Sequence, residues 1–371
     1  MSAQPGSGSD VEHMRAALAL AARALGNAWP NPAVGCVLVR DGMVVGRGWT
    51  QPGGRPHAEA EALRRAGPAA RGATAYVTLE PCSHWGRTPP CCDALIAAGL
   101  ARVVVAMRDP DPRVDGRGLA RLRAAGIAVE EGLLEEEARR LQQGFLRRIT
   151  LGLPMVTLKL ATTLDGRIAT AGGESRWITG EAARRAVHAA RARHDAVLVG
   201  SGTVLADDPL LTVRGLGLPS PPRVVWDARL RLPLASRLVA TAREVPLWLL
   251  TAPGHPPARL APYLAAGVEV ITAPPAVAGG GLDPRAALQA LAARGITRIL
   301  CEGGGRLAAA LLRERLVQRL LWFHAPATLG AEGLPAIGAL GLPDLAAMPR
   351  FRPLDSRPLP PDMLTEFEEI T

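Results

Sequence analysis

His57-Ala-Glu59-Ala-Glu61-Ala-Leu63, then, beyond a short apolar run, Leu79-Glu80-Pro81-Cys82-Ser83-His84-Trp85-Gly86-Arg87-Thr88-Pro89-Pro90-Cys91-Cys92-Asp93, is the stretch on which the reading of this chain turns. One His and two Cys are a borderline-soft donor set of the kind zinc takes, and three protein ligands leave the fourth tetrahedral corner to water. Glu59 stands two residues past His57, where it need not be a ligand and can handle a proton. Helical spacing begins at His57 and runs to about Ala66. Residues 73–79 read as a strand, and Pro89 and Pro90 suit the opening of a second helix with Cys91 in its first turn. A strand between two helices therefore presents His57, Cys82 and Cys91 near helix starts, where the helix dipole favours a thiolate. Two alternatives stand beside this reading. Cys92 could complete a closed structural site, although adjacent Cys side chains rarely reach one small ion together. Glu61, one helical turn after His57, could compete with Glu59 for the proton.

Upstream, residues 1–9 are polar and rich in Gly and Ser, and read as a disordered tail. Asp10 is a candidate cap for a helix to Leu25. Pro30-Asn31-Pro32 is a loop, the run to Val39 is a buried strand, and Asp41-Gly42 turns it into a return strand over 43–49. Downstream, 102–106 is a strand and 109–118 a turn-rich loop. A charged helix from about Leu134 to Arg148 closes a domain of residues 10–149. Residues 150–154 are a linker and 155–371 a second domain. There, apolar runs at 155–160, 196–199, 223–226, 247–250, 268–271, 298–301 and 320–323 alternate with helical spacing near 180–193, 257–265, 284–293 and 305–315. Such alternation implies a mostly parallel α/β sheet. Glu302-Gly303-Gly304-Gly305 follows a strand and opens a helix, where backbone N–H groups can cradle a phosphate.

Composition narrows the class. With 371 residues, 48% of them hydrophobic, the chain supports two cores. A net charge of +9 suits small phosphorylated substrates. Aromatics are only 4% and no basic run of five occurs, which argues against a nucleic-acid platform. Five Cys, two of them adjacent, do not make a disulfide framework, so a reducing, cytoplasmic setting is expected. No apolar run reaches the roughly 18 residues of a membrane span. Lys159 is the one lysine among 43 basic residues. Arg does not replace a compact ammonium whose pKa must shift, so Lys159 is a candidate functional group.

The H-x-E…P-C pattern is that of the zinc-dependent deaminases, with Glu59 as general acid and base. Eight residues separate Cys82 from Cys91, where nucleoside and nucleic-acid deaminases typically have two. With Asn31-Pro32-x-Val34-Gly35 and Ala106-Met107-Arg108-Asp109-Pro110, the longer form resembles the bifunctional riboflavin-biosynthesis deaminase/reductase family. The second half resembles that family's reductase in Lys159-Leu-Ala161-x-Thr163-Leu164-Asp165-Gly166, Ser175-Arg-Trp177-Ile-Thr179, Asp207-x-Pro209-x-Leu211-Thr-x-Arg214 and Glu302-Gly303-Gly304.

The resemblance implies a cytidine-deaminase-like α/β/α domain followed by a dihydrofolate-reductase-like α/β domain. It implies one zinc held by His57, Cys82 and Cys91, with Glu59 catalytic and Asn31, His84 and Arg87 holding the pyrimidine and its ribose phosphate. It implies NADPH lined by Ala161, Trp177, Thr203, Asp207, Gly304, Gly305, Arg306 and Leu307. Lys159, Ser175, Arg191, Leu211, Arg214 and Glu302 would hold the second substrate. The expected chemistry is hydrolytic deamination of 2,5-diamino-6-ribosylamino-4(3H)-pyrimidinone 5′-phosphate, then reduction of its ribosyl group to ribityl. A homo-oligomer without nucleic-acid or membrane partners is expected. The chain departs from the family at Thr50, where His is common, and at Ala228, where Ser is usual.

Overall fold

The computed structural model describes residues 8–86, 89–277 and 281–370. The chain divides after Gly152 into two units. The first contains α1 (Gly8–Ala21), β1 (Gly35–Arg40), β2 (Met43–Trp49), α2 (Ala58–Ala66), β3 (Thr74–Val77), α3 (Cys91–Ala97), β4 (Arg102–Val105), α4 (Arg117–Ala124), β5 (Ala128–Glu131) and α5 (Glu135–Leu151). Its sheet has the order β2-β1-β3-β4-β5, with β2, β1 and β3 antiparallel and β3, β4 and β5 parallel. Val37, Leu38 and Val103 to Val105 are fully or almost fully buried, as strands covered on both faces must be.

Two glycines let helices lie directly on this sheet. A Cβ on Gly35 would stand 1.9 Å from the Ala17 carbonyl oxygen of α1, and one on Gly48 would stand 2.1 Å from that of Ala58 in α2. The second approach seats the start of α2, and with it His57, against β2.

The second unit contains β6 (Met155–Thr163), β7 (Arg167–Ala169), α6 (Glu181–Ala192), β8 (Ala196–Gly200), α7 (Ser201–Asp207), β9 (Arg223–Trp226), α8 (Arg237–Ala240), β10 (Leu247–Thr251), α9 (Pro257–Ala265), β11 (Glu269–Thr272), α10 (Pro284–Ala293), β12 (Arg298–Cys301), α11 (Gly305–Arg313), β13 (Arg319–Ala325), β14 (Leu334–Pro335), β15 (Phe351–Leu359) and β16 (Asp362–Glu369). Nine strands form one sheet in the order β11-β10-β9-β8-β12-β6-β13-β16-β15. The seven from β11 to β13 are parallel, and the hairpin of β16 and β15 adds an antiparallel edge.

Several boundaries differ from the sequence reading. Helix α1 starts at Gly8, so residues 8 and 9 are helical rather than tail. Asp10 is not a cap: buried inside α1, it accepts the Tyr76 hydroxyl at 2.5 Å and pairs with Arg102 at 3.0 Å. Helix α5 runs through Thr150 and Leu151, so only the end of the expected 150–154 linker is non-helical. A left-handed Gly152 stops it by receiving the end of the helix in a conformation that favours glycine. Helix α11 ends at Arg313, two residues short of the expected 315. The Pro-rich end of the chain is a long hairpin, tolerated because an edge strand can hold Pro353 and Pro358 without losing a ladder bond.

Candidate active sites

Three polar side chains meet at the start of α2. His57 is the N-cap residue, extended at φ −69° and ψ 161°, not inside the first turn. Its Nδ1 lies 3.7 Å from Cys82 Sγ and 3.3 Å from Cys91 Sγ, and all three donor atoms fall within 4.8 Å of one another. Zinc bonds of about 2.0 Å to nitrogen and 2.3 Å to sulfur, opened to the tetrahedral angle, give donor separations of about 3.5–3.8 Å. Both nitrogen–sulfur separations lie close to that range, so the donor set fits zinc. The Cys91 backbone N–H donates to Cys82 Sγ at 3.2 Å. Hydrogen bonds from Cys91, with His57 beside it, pull the Cys82 thiol down to about 4, as a thiolate ligand requires.

Glu59 projects from the first turn of α2 and is 3% exposed. Burial pushes its carboxyl up to about 7, against the pull of His57. A proton can therefore be held or released there near neutral pH. Glu61 is excluded from that role: its carboxylate is taken by Arg64 at 2.8 Å and Arg65 at 2.7 Å, which hold it down to about 2. Cys92 also stays outside the triangle, its Sγ turned to Asp93.

His57, Glu59 and Cys82 open onto a cavity of about 310 Å³ that Asn31 and His84 also line. The Asn31 amide nitrogen donates to Gly54 O at 2.8 Å, which fixes the side chain and leaves its carbonyl oxygen to accept. His84 Nδ1 is buried and has no hydrogen-bond partner among the described residues. Arg87 lies outside the described residues. Thr50, at the departure noted above, works within the fold: its hydroxyl donates to Pro32 O and accepts from Val34 N, both at 2.9 Å, and so pins the Asn31 loop. The sequence reading missed Asp109, Asp111, Arg113 and Arg148 as cavity residues. The signal was available in part. Parallel β3 and β4 deliver Cys82 and Asp109 just past their carboxyl ends, where α/β sheets place ligands.

The second unit gathers its candidates at the carboxyl ends of β6, β8 and β12. Arg191 of α6 grips Glu302 with two bonds, Nε to Oε1 at 2.6 Å and Nη2 to Oε2 at 2.9 Å. Arg191 Nη1 and His188 Nδ1 both reach the Thr212 carbonyl, at 2.8 and 3.0 Å. The neighbouring Leu211 is held in the left-handed region at φ 56°. Burial lowers the Lys159 ammonium, Glu302 and Asp207 raise it, and Arg191 adds to the lowering. The Ser175 hydroxyl reaches Asp207 Oδ1 at 3.4 Å. Trp177 is 69% exposed, with the Arg184 guanidinium 4.6 Å from its ring centre. Arg214 and Arg306 are exposed, Leu307 is buried in α11, and Ala161 is half-buried on β6.

At the head of α11, Gly303 needs its φ of +94°, and a Cβ on Gly304 would press to 3.3 Å from Thr203 Oγ1. A Cβ on Gly305 would stand 3.0 Å from Pro335 O. This bare backbone at a helix start, beside Thr203, fits the pyrophosphate of a dinucleotide. Ala228, where a serine was looked for, offers its backbone oxygen to His255 Nε2 at 3.1 Å.

The RibD C-terminal domain matches residues 154–365, and the cytidine and deoxycytidylate deaminase zinc-binding region matches 7–107. The riboflavin biosynthesis protein RibD of Escherichia coli K12 is 46% identical over 367 residues, covering 95% of this chain and 98% of that protein. The chain belongs to the RibD family. The Aquifex aeolicus RibD is 41% identical, covering 97% of this chain and 98% of that one. Form 1 of Acinetobacter baumannii RibD superposes with a TM-score of 0.88 at 40% identity, covering 98% and 99% of the two chains. The Thermotoga maritima diaminohydroxyphosphoribosylaminopyrimidine deaminase/5-amino-6-(5-phosphoribosylamino)uracil reductase gives 0.84 at 35%, with the same coverage. As a RibD-family enzyme, the chain is a bifunctional deaminase and reductase of riboflavin biosynthesis, with zinc in its first domain and NADPH in its second.

Proposed function

We propose that the first site hydrolyses the C2 amino group of 2,5-diamino-6-ribosylamino-4(3H)-pyrimidinone 5′-phosphate, and that the second reduces the ribosyl group of the product to ribityl. The single observation that carries this reading is the His57–Cys82–Cys91 triangle with buried Glu59 beside it in a cavity of ligand size. Zinc, when held by these three residues, makes water acidic enough to attack at neutral pH. Glu59 accepts the proton of the attacking water and passes it to the ring nitrogen. A second transfer through Glu59 lets the amino group depart as ammonia. Asn31, with its amide fixed by Gly54, accepts an N–H from the pyrimidine edge, and His84 supplies a second polar contact. Arg87 is proposed from the family pattern to meet the phosphate.

In the second unit the residues that would hold NADPH are Ala161, Trp177, Thr203, Asp207 and 304–307. NADPH, when bound, supplies hydride to the ribosyl C1, and the opened ring oxygen takes a proton. Three N–H groups of Arg191 already serve Glu302 and Thr212 O, so its part is to fix Glu302 and the Leu211 loop. Exposed Arg214 is then proposed to meet the substrate phosphate. Lys159 and Ser175 approach from β6 and the loop after β7.

A cytoplasmic, oligomeric enzyme is also proposed. The five cysteines are all unpaired thiols, and among the described residues no helix is long and apolar enough to cross a membrane. Among the described residues no strand pairs with the outer edge of β15, which suits a second copy of the chain.

Ammonia release by the zinc-loaded full chain, followed by NADPH oxidation, tests the reading. Glu59→Gln should lower ammonia release on the order of 10²–10⁴-fold with zinc content unchanged. Full ammonia release by that variant rejects the mechanism.

A further inference from the structure

Glu80 is buried, 3% exposed, and lies two residues ahead of Cys82. Its carboxylate is satisfied by backbone. Oε2 accepts the N–H of Asp109 at 3.3 Å and of Gly116 at 2.9 Å, and Oε1 accepts those of Gly118 at 2.9 Å and Leu119 at 3.4 Å. One carboxylate thus takes four N–H groups from one stretch of chain, at both of its ends. Charge-assisted bonds of this kind are the stronger ones, and a carboxylate at the start of α4 suits the helix dipole. Its own N–H donates to Met107 O at 3.0 Å, so the ends of β3 and β4 are joined at the same point. Gly118 lets the two segments close: a Cβ there would stand 2.2 Å from Pro81 O.

The stretch so held is the cavity wall. Asp109 accepts the N–H of Asp111 at 2.9 Å, Asp111 grips Arg113, and all three side chains line the cavity that His57, Glu59 and Cys82 also line. The mechanism gives Glu80 no proton and no ligand role, yet it ties the ligand-bearing segment to this wall.

We propose that Glu80 is a positioning residue of the deaminase site, holding the 109–116 loop as the wall against which the aminopyrimidine rests. Glu80 itself lines the cavity, yet its carboxylate oxygens are taken by backbone N–H groups, so its effect on substrate fit runs through the loop it holds. The proposal rests on the aminopyrimidine reading of the first site.

The test compares Glu80→Gln with the unsubstituted full-length, zinc-loaded enzyme. Gln turns an NH₂ toward backbone donors, so part of the clamp is lost. KM for the aminopyrimidine should rise on the order of 10–100-fold, the cost of misplacement by about 1 Å, while kcat falls less. Zinc content and NADPH oxidation with deaminated substrate should hold, and amide exchange at Gly116 and Gly118 should quicken. Unchanged KM and exchange overturn the proposal, as does a fall in kcat with loss of zinc at constant KM. If Glu80→Gln does not fold, Asp111→Asn loosens the same wall with Glu80 in place. A raised KM there supports the wall, and an unchanged one overturns it. No ammonia release by the unsubstituted enzyme rejects the aminopyrimidine reading itself, a result separate from these.

Discussion

Two buried polar residues of the second unit show how much a single side chain decides. Arg191 and Glu302 are 10% and 8% exposed, and each is satisfied largely by the other. Arg191→Met leaves a carboxylate buried without its partner, which costs about 3–5 kcal/mol. Urea unfolding should show that loss, and Arg191→Met/Glu302→Leu should recover much of it. Equal stabilities for the two variants contradict the assignment. His194 gives a pH signature. Its Nδ1–H donates to Ala190 O at 2.7 Å and its Nε2 accepts the Thr157 hydroxyl at 2.9 Å, so both nitrogens are used in the neutral ring. Burial, with Arg298 nearby, pushes its pKa from 6.5 down to about 3. The neutral form is the folded one, so its contribution is complete above the unfolded value of 6.5. That contribution drains away as pH falls from there towards 3, at up to about 1.4 kcal/mol per unit. Between pH 6 and 4 the unsubstituted chain should lose stability more steeply than His194→Gln. Parallel slopes would falsify this account of His194.

At the scale of elements, the metal triangle depends on how closely α2 lies on β2. Gly48→Ala forces a methyl to 2.1 Å from Ala58 O, so the helix must move at the end that bears His57. The expected cost is about 1–3 kcal/mol, together with weaker zinc retention on dialysis. Gly202→Ala, with nothing within 4 Å of its Cβ, is the control. Elements were legible where burial is two-sided. Residues 223–226 and 298–301 are strands to the residue, because a parallel strand covered on both faces reads as an unbroken apolar run. The β15–β16 hairpin was not legible, since Pro353 and Pro358 argue against a strand until its place at the edge is known. The same distinction divides the first site. His57, Glu59, Cys82 and Cys91 sit in one compact motif. Asp109, Asp111 and Arg113 join them only through the pairing of β3 with β4, which no local pattern announces.

For the whole molecule, the division after Gly152 assigns the metal to one unit and the dinucleotide to the other. A chelator should therefore abolish ammonia release and lower the thermal transition of the first unit alone. NADPH oxidation with previously deaminated substrate should continue, and its parallel loss would contradict two separately organised sites. The composition carries a second consequence at this scale. Every cationic side chain except Lys159 is a guanidinium, and Lys159 is half-buried on β6 beside Glu302. Reductive methylation with isotopically enriched formaldehyde would write on a single side chain of the sequence. The resulting dimethylamino resonance would report NADPH and substrate arriving in the second unit, with no assignment of the remaining spectrum needed.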